Sequence, residues 1–213
     1  YSSYTRNAYK ETNQFISMIK ITPELAEICG IHAGDGYLRN KDHKWEWDIS
    51  GNIEEKDYYD KHMIPLFNKT FNLNIKGKFF PSRNTYGFVI RNKKVIKFAH
   101  EILGFPYGNK TLKIKVPKFI FKDKFLIRSF LRGYFDTDGC ISFDKKIRNT
   151  DPFKKNKHYY PRITIKTVSN KLGIGVKRLL EKEDFSPSIY AYQPKKKTEK
   201  LKYTLQINGK DTL

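Results

Sequence analysis

The sequence predicts an α+β protein of two similar halves, each with the element order αββαββα, and three observations support this fold class. First, an apolar, helix-forming stretch with regularly spaced small residues occurs twice, at residues 25–36 and 128–139. Second, each copy ends in Asp-Gly and is followed by alternating apolar and polar residues, which is the period of a half-buried strand. Third, the order of predicted elements restarts at the second copy, as an internal duplication requires.

The spacing of small residues predicts that the two helical stretches pack against each other. Gly30 and Gly34 lie four positions apart in the first copy, and Gly133 and Thr137 lie four positions apart in the second. Residues at this spacing share one face of a helix. A face of small residues lets two helix backbones approach closely, so the aspartates of the two Asp-Gly pairs should lie side by side.

The first half is predicted to span residues 21–103, after an N-terminal extension at residues 1–20. Thr22 is a favourable N-cap and Pro23 a favourable first helical residue, so the first motif helix should begin there. Period-two patterns predict hairpins on either side of a central helix, in which Pro65 favours a kink. The predicted elements are a turn at 39–44, a strand at 45–49, a helix at 54–71, strands at 75–80 and 86–91, and a helix at 93–103.

A stretch rich in Gly, Pro and Lys at residues 104–124 is predicted to link the halves. The second half, residues 125–213, repeats the order of the first. Its predicted elements are helices at 125–137 and 170–182 and strands at 140–146, 159–167, 189–192 and 200–207. The sequence stops where the second copy of the last helix would begin, so that helix is expected to be missing.

The charge of the chain favours a polyanion as its partner. Its 213 residues include 42 Lys and Arg against 22 Asp and Glu, a formal net charge of +20, which is typical of nucleic-acid-binding proteins. Aromatic residues make up 15% of the chain, too many for a disordered basic tail. No run of 18 apolar residues and no signal peptide is visible, so we expect no membrane span and an intracellular protein.

The two cysteines, Cys29 and Cys140, cannot supply a four-cysteine zinc site and form no Cys-x-x-Cys motif. Each lies beside a motif helix, where a small apolar side chain packs well, so we expect both to be buried. A reducing, intracellular environment fits this cysteine usage.

The two stretches resemble the nonapeptide motif of the LAGLIDADG homing endonucleases. The matches by identity are Leu131, Gly133, Asp136, Asp138 and Gly139 in the second copy and Gly30, Asp35 and Gly36 in the first. The first copy departs from the motif where Ala33 replaces an acid, which predicts a less polar end for the first helix. The resemblance runs from about Leu25 to the end of the chain and is to the single-chain, two-repeat branch found in archaeal and organellar introns.

The resemblance implies a site-specific endonuclease that cuts double-stranded DNA, leaves short 3′ overhangs and acts in intron mobility. It also implies that the two sheets form a saddle across the DNA. Because the halves differ in sequence, the target should be long and asymmetric. One chain contains both motif helices, so we expect a monomer.

Two neighbouring carboxylates in a basic chain predict a divalent-metal site; the alternative is two aspartates that only cap turns. The family's metal ligand is the eighth-position acid, so the resemblance implies that Asp35 and Asp138 bind Mg²⁺. It implies the backbone carbonyls of Gly34 and Thr137 as further ligands. It also implies that Mn²⁺ substitutes for Mg²⁺ and that Ca²⁺ binds without supporting cleavage. Asp136 should point elsewhere on the helix and have a structural role.

Matched positions in the two halves predict further active-site residues. Lys93 and Lys210 follow corresponding strands and would polarise water or offset phosphate charge; the alternative is that they are ordinary surface lysines. Glu55 and Asn170 each lie just inside the helix that follows the second strand of a half, where they could orient water.

Basic and amide residues that alternate with apolar ones predict a polar sheet face suited to the major groove of DNA. The alternative is a solvated outer face of each sheet. The predicted DNA-binding residues are Arg39, Lys44, Lys76, Lys78, Arg91, Arg162, Thr164, Lys166, Lys200, Lys202 and Gln206.

Two rival functions would use the same scaffold. A non-cleaving nucleic-acid binder, such as an RNA maturase or a transcription factor, would keep the fold, but the presence of both motif aspartates favours cleavage. The endonuclease domain of an intein is less favoured, because no protein-splicing blocks are visible and neither cysteine is at a chain terminus. Incubation with plasmid DNA and Mg²⁺ would separate a cutter from a binder.

Overall fold

The computed structural model of the chain describes residues 19–143, 161–194 and 200–208. The helices are α1 (Pro23–Asp35), α2 (residues 56–71), α3 (Lys93–Glu101), α4 (Lys124–Asp138) and α5 (Asn170–Lys182). The strands are β1 (Gly36–Lys41), β2 (Lys44–Asn52), β3 (Lys78–Phe80), β4 (Thr85–Ile90), β5 (Gly139–Phe143), β6 (Pro161–Thr167), β7 (Ser188–Tyr192) and β8 (Lys202–Asn208). None of the helices in these ranges is long and apolar enough to cross a membrane.

The strands form two antiparallel sheets with the same internal order. The first sheet runs β1-β2-β4-β3 and the second runs β5-β6-β8-β7. In each half a motif helix leads directly into the edge strand of the sheet. The predicted fold class, α+β with two pseudo-symmetric halves, is therefore confirmed.

Helices α1 and α4 pack with their backbones in near contact. A methyl group added at Gly30 would lie 2.1 Å from the carbonyl oxygen of Phe130, and one added at Gly133 would lie 2.3 Å from that of Glu27. Both distances are far shorter than a van der Waals contact, so the approach requires glycine at both positions. The helix starts follow from capping, because Thr22 Oγ1 accepts the N–H of Leu25 and Asp123 Oδ1 accepts that of Phe125.

Helix α2 is irregular, and its irregularity has a local cause. It is α-helical at Lys56–Tyr58, π-helical at Tyr59–Met63 and α-helical again at Ile64–Phe71. Pro65 is the second residue after the π segment. Its ring has no N–H and crowds the carbonyl four residues earlier, so a regular α-helical ladder cannot run through it. The predicted kink takes the form of a widened turn, which aims Tyr59 into the protein.

Two local predictions in the first half are wrong. Pairing of β1 with β2 runs to Lys41 opposite Lys44, so the turn is Asp42-His43 and not residues 39–44. Both turn residues have positive φ, as a tight hairpin turn requires. The strand predicted at 75–80 begins only at Lys78. The Asn68 side chain bonds both the N–H and the carbonyl of Ile75, which fixes that residue in a loop.

Residues 104–122, called here the linker segment, pack into the core. Gly104 and Gly108 have positive φ and turn the chain back towards the first sheet, where the N–H of Gly108 donates to the carbonyl of Leu38. Buried apolar residues alternate with lysines along the segment; they are Phe105, Ile114, Val116 and Ile120.

The apolar faces of the two sheets are covered to different extents. Leu38 of β1 is 0% exposed, whereas the corresponding Ile141 of β5 is 67% exposed and Phe143 is 58% exposed. Every residue of β5 is exposed. The expectation that both cysteines are buried is half wrong: Cys29 is buried, whereas Cys140 is exposed because it pairs with Thr164 and lies on the polar face of the second sheet.

Candidate active site at the ends of the paired helices

The close pairing of α1 and α4 brings the two motif aspartates to the same place. Asp35 and Asp138 are the last residues of their helices. A methyl group at Gly34 would lie 3.4 Å from Asp138 Cγ, so the second aspartate stands against the end of the first helix. The charge of Asp138 contributes to a raised pKa of Asp35, as expected for neighbouring carboxylates.

Asp35 is held by a hydrogen bond from the π segment of α2. The buried Tyr59 hydroxyl donates to Asp35 Oδ2 at 2.7 Å. Burial is the main cause of the rise in the pKa of Asp35 to about 6. The Tyr59 hydrogen bond opposes this rise, and the charges of Asp138 and Glu55 add to it. A carboxylate in such surroundings favours a cation beside it.

Glu55 is a third carboxylate near Asp35. A methyl group at Gly51 of β2 would come within 2.8 Å of Asp35 Oδ2 and 2.7 Å of Glu55 Oε2. The absence of a side chain at Gly51 therefore leaves room in which the two carboxylates converge. Burial raises the pKa of Glu55, and the short helical turn Ile53–Glu55 carries it from the end of β2 to this position.

A lysine from the linker segment enters the same site. The Lys110 ammonium donates to the carbonyl oxygens of His32, at 2.7 Å, and of Gly34. Burial lowers the pKa of Lys110 to about 8, while the charges of Asp138 and Asp35 act in the opposite direction. The ammonium is thus a cation already in place at the end of α1.

The residues at this site fit a hard divalent cation. Two adjacent carboxylates and a backbone carbonyl are the oxygen donors that Mg²⁺ prefers, and the Lys110 ammonium stands where a positive charge is favoured. Within the described ranges, no group of three or more His, Cys, Asp or Glu residues is arranged to enclose a metal.

The other predicted active-site residues are not all brought to the aspartates. The Lys93 ammonium lies 5.0 Å from the centroid of the Trp45 ring. Trp45 is six residues along β2 from Gly51, or about 20 Å, so the structure does not bring Lys93 to Asp35. Asn170 is an exposed residue at the first turn of α5, capped by Ser169. Lys210 lies outside the described residues.

Asp136 lies apart from the two carboxylates, in a polar cluster between the halves. Tyr58 donates to Asp136 Oδ2 at 2.8 Å, and Arg132 lies 3.8 Å from the same oxygen. Arg132 also approaches Glu27, which bonds His62 at 2.5 Å. These contacts join α2 to α4 across the helix pair and are those of a structural residue.

The predicted DNA-binding residues of the first half lie mainly on the polar face of the first sheet. Arg39 lies 3.8 Å from Glu46, which also bonds Arg91, and Arg83 pairs with Asp48 at 2.9 Å. Lys44 is on the same face. The Lys78 ammonium lies 4.7 Å from the centroid of the Phe80 ring, and Lys76 lies in the loop before β3. Acidic residues therefore orient the arginines of this face.

The second sheet has a polar face without acidic residues in its described strands. The register β5-β6-β8-β7 places the predicted residues Arg162, Thr164, Lys166, Lys202 and Gln206 on one face, opposite Ile165 and Leu205. Tyr190 and Tyr192 share the face and are 52% and 55% exposed. Lys200 lies just before β8.

Sequence reasoning missed Lys110 and Tyr59. Lys110 is one of several lysines in the stretch predicted to link the halves, although the apolar residues of that stretch at 114, 116 and 120 are a signal of packing. Tyr59 counted only as one position in a helix, because the pattern does not reveal a π turn.

Two closely paired helices with acidic ends, each followed by a four-stranded antiparallel sheet, define the LAGLIDADG class of fold. Residues 125–213 match the model of the LAGLIDADG-like domain. The second half therefore belongs to the LAGLIDADG family, the first half repeats its architecture, and the predicted family is confirmed.

The chain is similar to short stretches of much longer proteins. The chain is 26% identical over 193 residues to the probable translation initiation factor IF-2 of Methanocaldococcus jannaschii, and 31% identical over 151 residues to that organism's glutamine–fructose-6-phosphate aminotransferase. These matches cover 87% and 65% of this chain but only 14% and 12% of the relatives.

Solved structures of the same fold include endonucleases bound to DNA. The homing endonuclease I-DmoI in complex with DNA and Mn has a TM-score of 0.57 and 17% identity, covering 87% of this chain and 89% of that one. The I-LtrWI LAGLIDADG homing endonuclease bound to target DNA has a TM-score of 0.54 and 18% identity, covering 87% and 78%. The N-terminal LAGLIDADG domain of DUF199/WhiA has a TM-score of 0.50 and 14% identity, covering 92% and 80%.

Proposed function

We propose that the chain is a site-specific endonuclease that hydrolyses double-stranded DNA with Mg²⁺, one strand at each motif aspartate. The observation that carries this proposal is the position of Asp35 and Asp138, which the glycine contacts of α1 and α4 hold side by side. Structural aspartates that only cap turns would not need a helix contact this close.

The chain's own groups have distinct parts in the proposed reaction. Asp35 and Asp138 would hold the divalent cation, with the carbonyls of Gly34 and Thr137 as further ligands. The bound cation would lower the pKa of the attacking water and stabilise the leaving oxygen. Tyr59 keeps Asp35 oriented, and Glu55, whose carboxylate converges on the same space, would orient or deprotonate a water.

The polar faces of the two sheets would bind the DNA. A two-stranded β ribbon fits the major groove, where Arg and Lys pair with guanine and Gln with adenine. The first sheet offers arginines oriented by Glu46 and Asp48, and the second offers lysines, amides and two exposed tyrosines. Because the two faces differ, the proposed target is long and asymmetric. A single chain supplies both helices, so the proposed active form is a monomer.

The distribution of the relatives supports a self-contained module. The same stretch matches a part of proteins with unrelated names, among them a DNA polymerase and a replication factor C small subunit of Methanocaldococcus jannaschii. These matches span 11% and 7% of those proteins. A segment shared by otherwise unrelated proteins is expected of an inserted, mobile element, and an intein-borne endonuclease therefore becomes a stronger alternative than the sequence alone suggested.

The test is selection of cleaved sites from a randomised or genomic DNA library in Mg²⁺, followed by sequencing of the cut ends. We expect one recurring, asymmetric site with short 3′ overhangs, and no cleavage by the double variant Asp35→Asn, Asp138→Asn. Mn²⁺ should substitute for Mg²⁺, and Ca²⁺ should support binding without cleavage.

A second candidate is a DNA or RNA binder that does not cut. The N-terminal LAGLIDADG domain of DUF199/WhiA shares this fold. Recovery of a specific bound site by the same library, with intact DNA in Mg²⁺ and Mn²⁺, would favour this candidate.

A further inference from the structure

The position of Lys110 is fixed by the segment that carries it. Phe105 stacks on the His32 ring at 3.8 Å between centroids, and Gly108 bonds the backbone of β1. On the other side, the N–H groups of Lys113 and Ile114 donate to the Lys110 carbonyl at 2.9 and 2.8 Å. The lysine is therefore held from both sides against the end of α1.

The ammonium satisfies carbonyls at the C-terminal end of a helix. The last four carbonyls of an α-helix lack partners within the helix, and a cation is favoured beside them. Lys110 bonds two carbonyls of α1, those of His32 and Gly34. The same ammonium interacts with the charges of Asp138 and Asp35. It therefore bonds the Gly34 carbonyl and feels the charge of both carboxylates, which are the groups proposed as ligands of the divalent cation.

We propose that Lys110 is a resident cation of this site, which holds the Gly34 carbonyl and offsets the two carboxylates until a divalent ion displaces its ammonium. This inference rests on the proposed metal site. A divalent ion at the Gly34 carbonyl would be repelled by an ammonium bonded to the same oxygen. The lysine would therefore weaken metal binding while it stabilises the metal-free protein.

The test measures thermal unfolding of the full chain in EDTA and at increasing Ca²⁺, without DNA. The variants are Lys110→Met, which removes the charge and keeps the length of the side chain, and Lys115→Met as a matched control, because Lys115 is an exposed lysine of the same segment. In EDTA, Lys110→Met should melt at a lower temperature than the wild type, and Lys115→Met should not.

With Ca²⁺, the Lys110→Met variant should show the larger rise in melting temperature. This larger rise corresponds to an apparent Ca²⁺ affinity at least about tenfold tighter than that of the wild type, because the variant has lost a full positive charge from the site. Lys110→Arg, which keeps the charge, should behave like the wild type. If Lys110→Met does not fold, the comparison is made with Lys110→Gln, which keeps an N–H donor without the charge.

Two results would overturn the inference and can be told apart. If Ca²⁺ stabilises the wild type and not Asp35→Asn, while loss of the Lys110 charge leaves Ca²⁺ affinity unchanged or weaker, the metal site stands and the displacement of Lys110 is wrong. If Ca²⁺ stabilises neither the wild type nor the uncharged Lys110 variant, the proposed metal site falls as well.

Discussion

The two helix ends of the candidate site occupy equivalent backbone positions but have different surroundings. At the first end, Asp35 accepts a hydrogen bond from Tyr59, has Glu55 beside it and is followed by a covered strand. At the second end, Asp138 is more exposed than Asp35, although burial still raises its pKa and the Lys110 charge opposes that rise. This end is followed by β5, which is exposed throughout. Ala33 itself supplies no polar group to the first end, where the polar neighbours of Asp35 come from other elements.

This difference shows what a duplicated fold preserves. The helix contact is preserved, since Gly30 and Gly133 each face the partner backbone. The neighbours of the aspartates are not all preserved, because Tyr59 and Glu55 lie beside Asp35, whereas Lys110 of the linker segment faces the charges of both aspartates. The two ends should therefore act at unequal rates, and nicked DNA should appear as an intermediate.

The two sheets differ in the same way. Glu46 and Asp48 pair with arginines on the polar face of the first sheet, whereas the described strands of the second sheet have no acidic residue on theirs. Pairing holds an arginine in a defined geometry for base contacts. Lysines contribute mainly to phosphate attraction.

The largest effect is expected from a change in the contact between α1 and α4, because this contact positions both aspartates. Gly133→Ala places a methyl group against the Glu27 carbonyl and should destabilise the protein by about 1–3 kcal/mol, the usual cost of overpacking. The control is Gly173→Ala in α5, where a methyl would meet only side-chain atoms at 3.4 Å or more. That change should be neutral or stabilising, and thermal unfolding of the two variants compares them directly.

Tyr59→Phe should have an intermediate effect and should impair only the end of the site that contains Asp35. Loss of the hydroxyl removes a bond that favours the charged form of Asp35, so the pKa of that carboxyl rises further and metal binding weakens. Cleavage of one strand should slow by about tenfold, measured with a strand-specific label. The control is Tyr58→Phe, which removes a hydroxyl that bonds Asp136 instead of Asp35. If Tyr59→Phe slows the cleavage of both strands equally, the proposed asymmetry is wrong.

The smallest effect concerns the sheets and is seen in salt titrations of DNA affinity. Each lysine that neutralises a phosphate contributes about 0.9 to the slope of log affinity against log salt. Lys166→Ala on the second sheet should reduce the slope by about 1, and Arg39→Ala by less, because Glu46 already offsets part of its charge. Lys61→Ala, which removes a lysine paired with Asp57 on α2, is the control and should leave the slope unchanged.

Local signals in the sequence were enough to predict the fold and the side-by-side position of Asp35 and Asp138. Helix spacing predicted the contact at Gly30 and Gly133, and period-two patterns predicted most strands of both sheets. Contacts that join distant segments were not predictable in this way. Lys110 reaches Gly34 only because Gly104 and Gly108 turn the linker segment back, and Tyr59 reaches Asp35 only through the π turn before Pro65.

The most direct test of the account is strand-resolved cleavage of a plasmid that carries the selected target, by the wild type, Asp35→Asn and Asp138→Asn. Each Asn variant removes one proposed metal ligand and keeps the size of the side chain. We expect each to slow hydrolysis by at least about 100-fold while its DNA affinity stays within a few-fold of the wild type, because binding comes from the sheets. If either variant cuts both strands at the wild-type rate, the assignment of the metal to these aspartates is wrong.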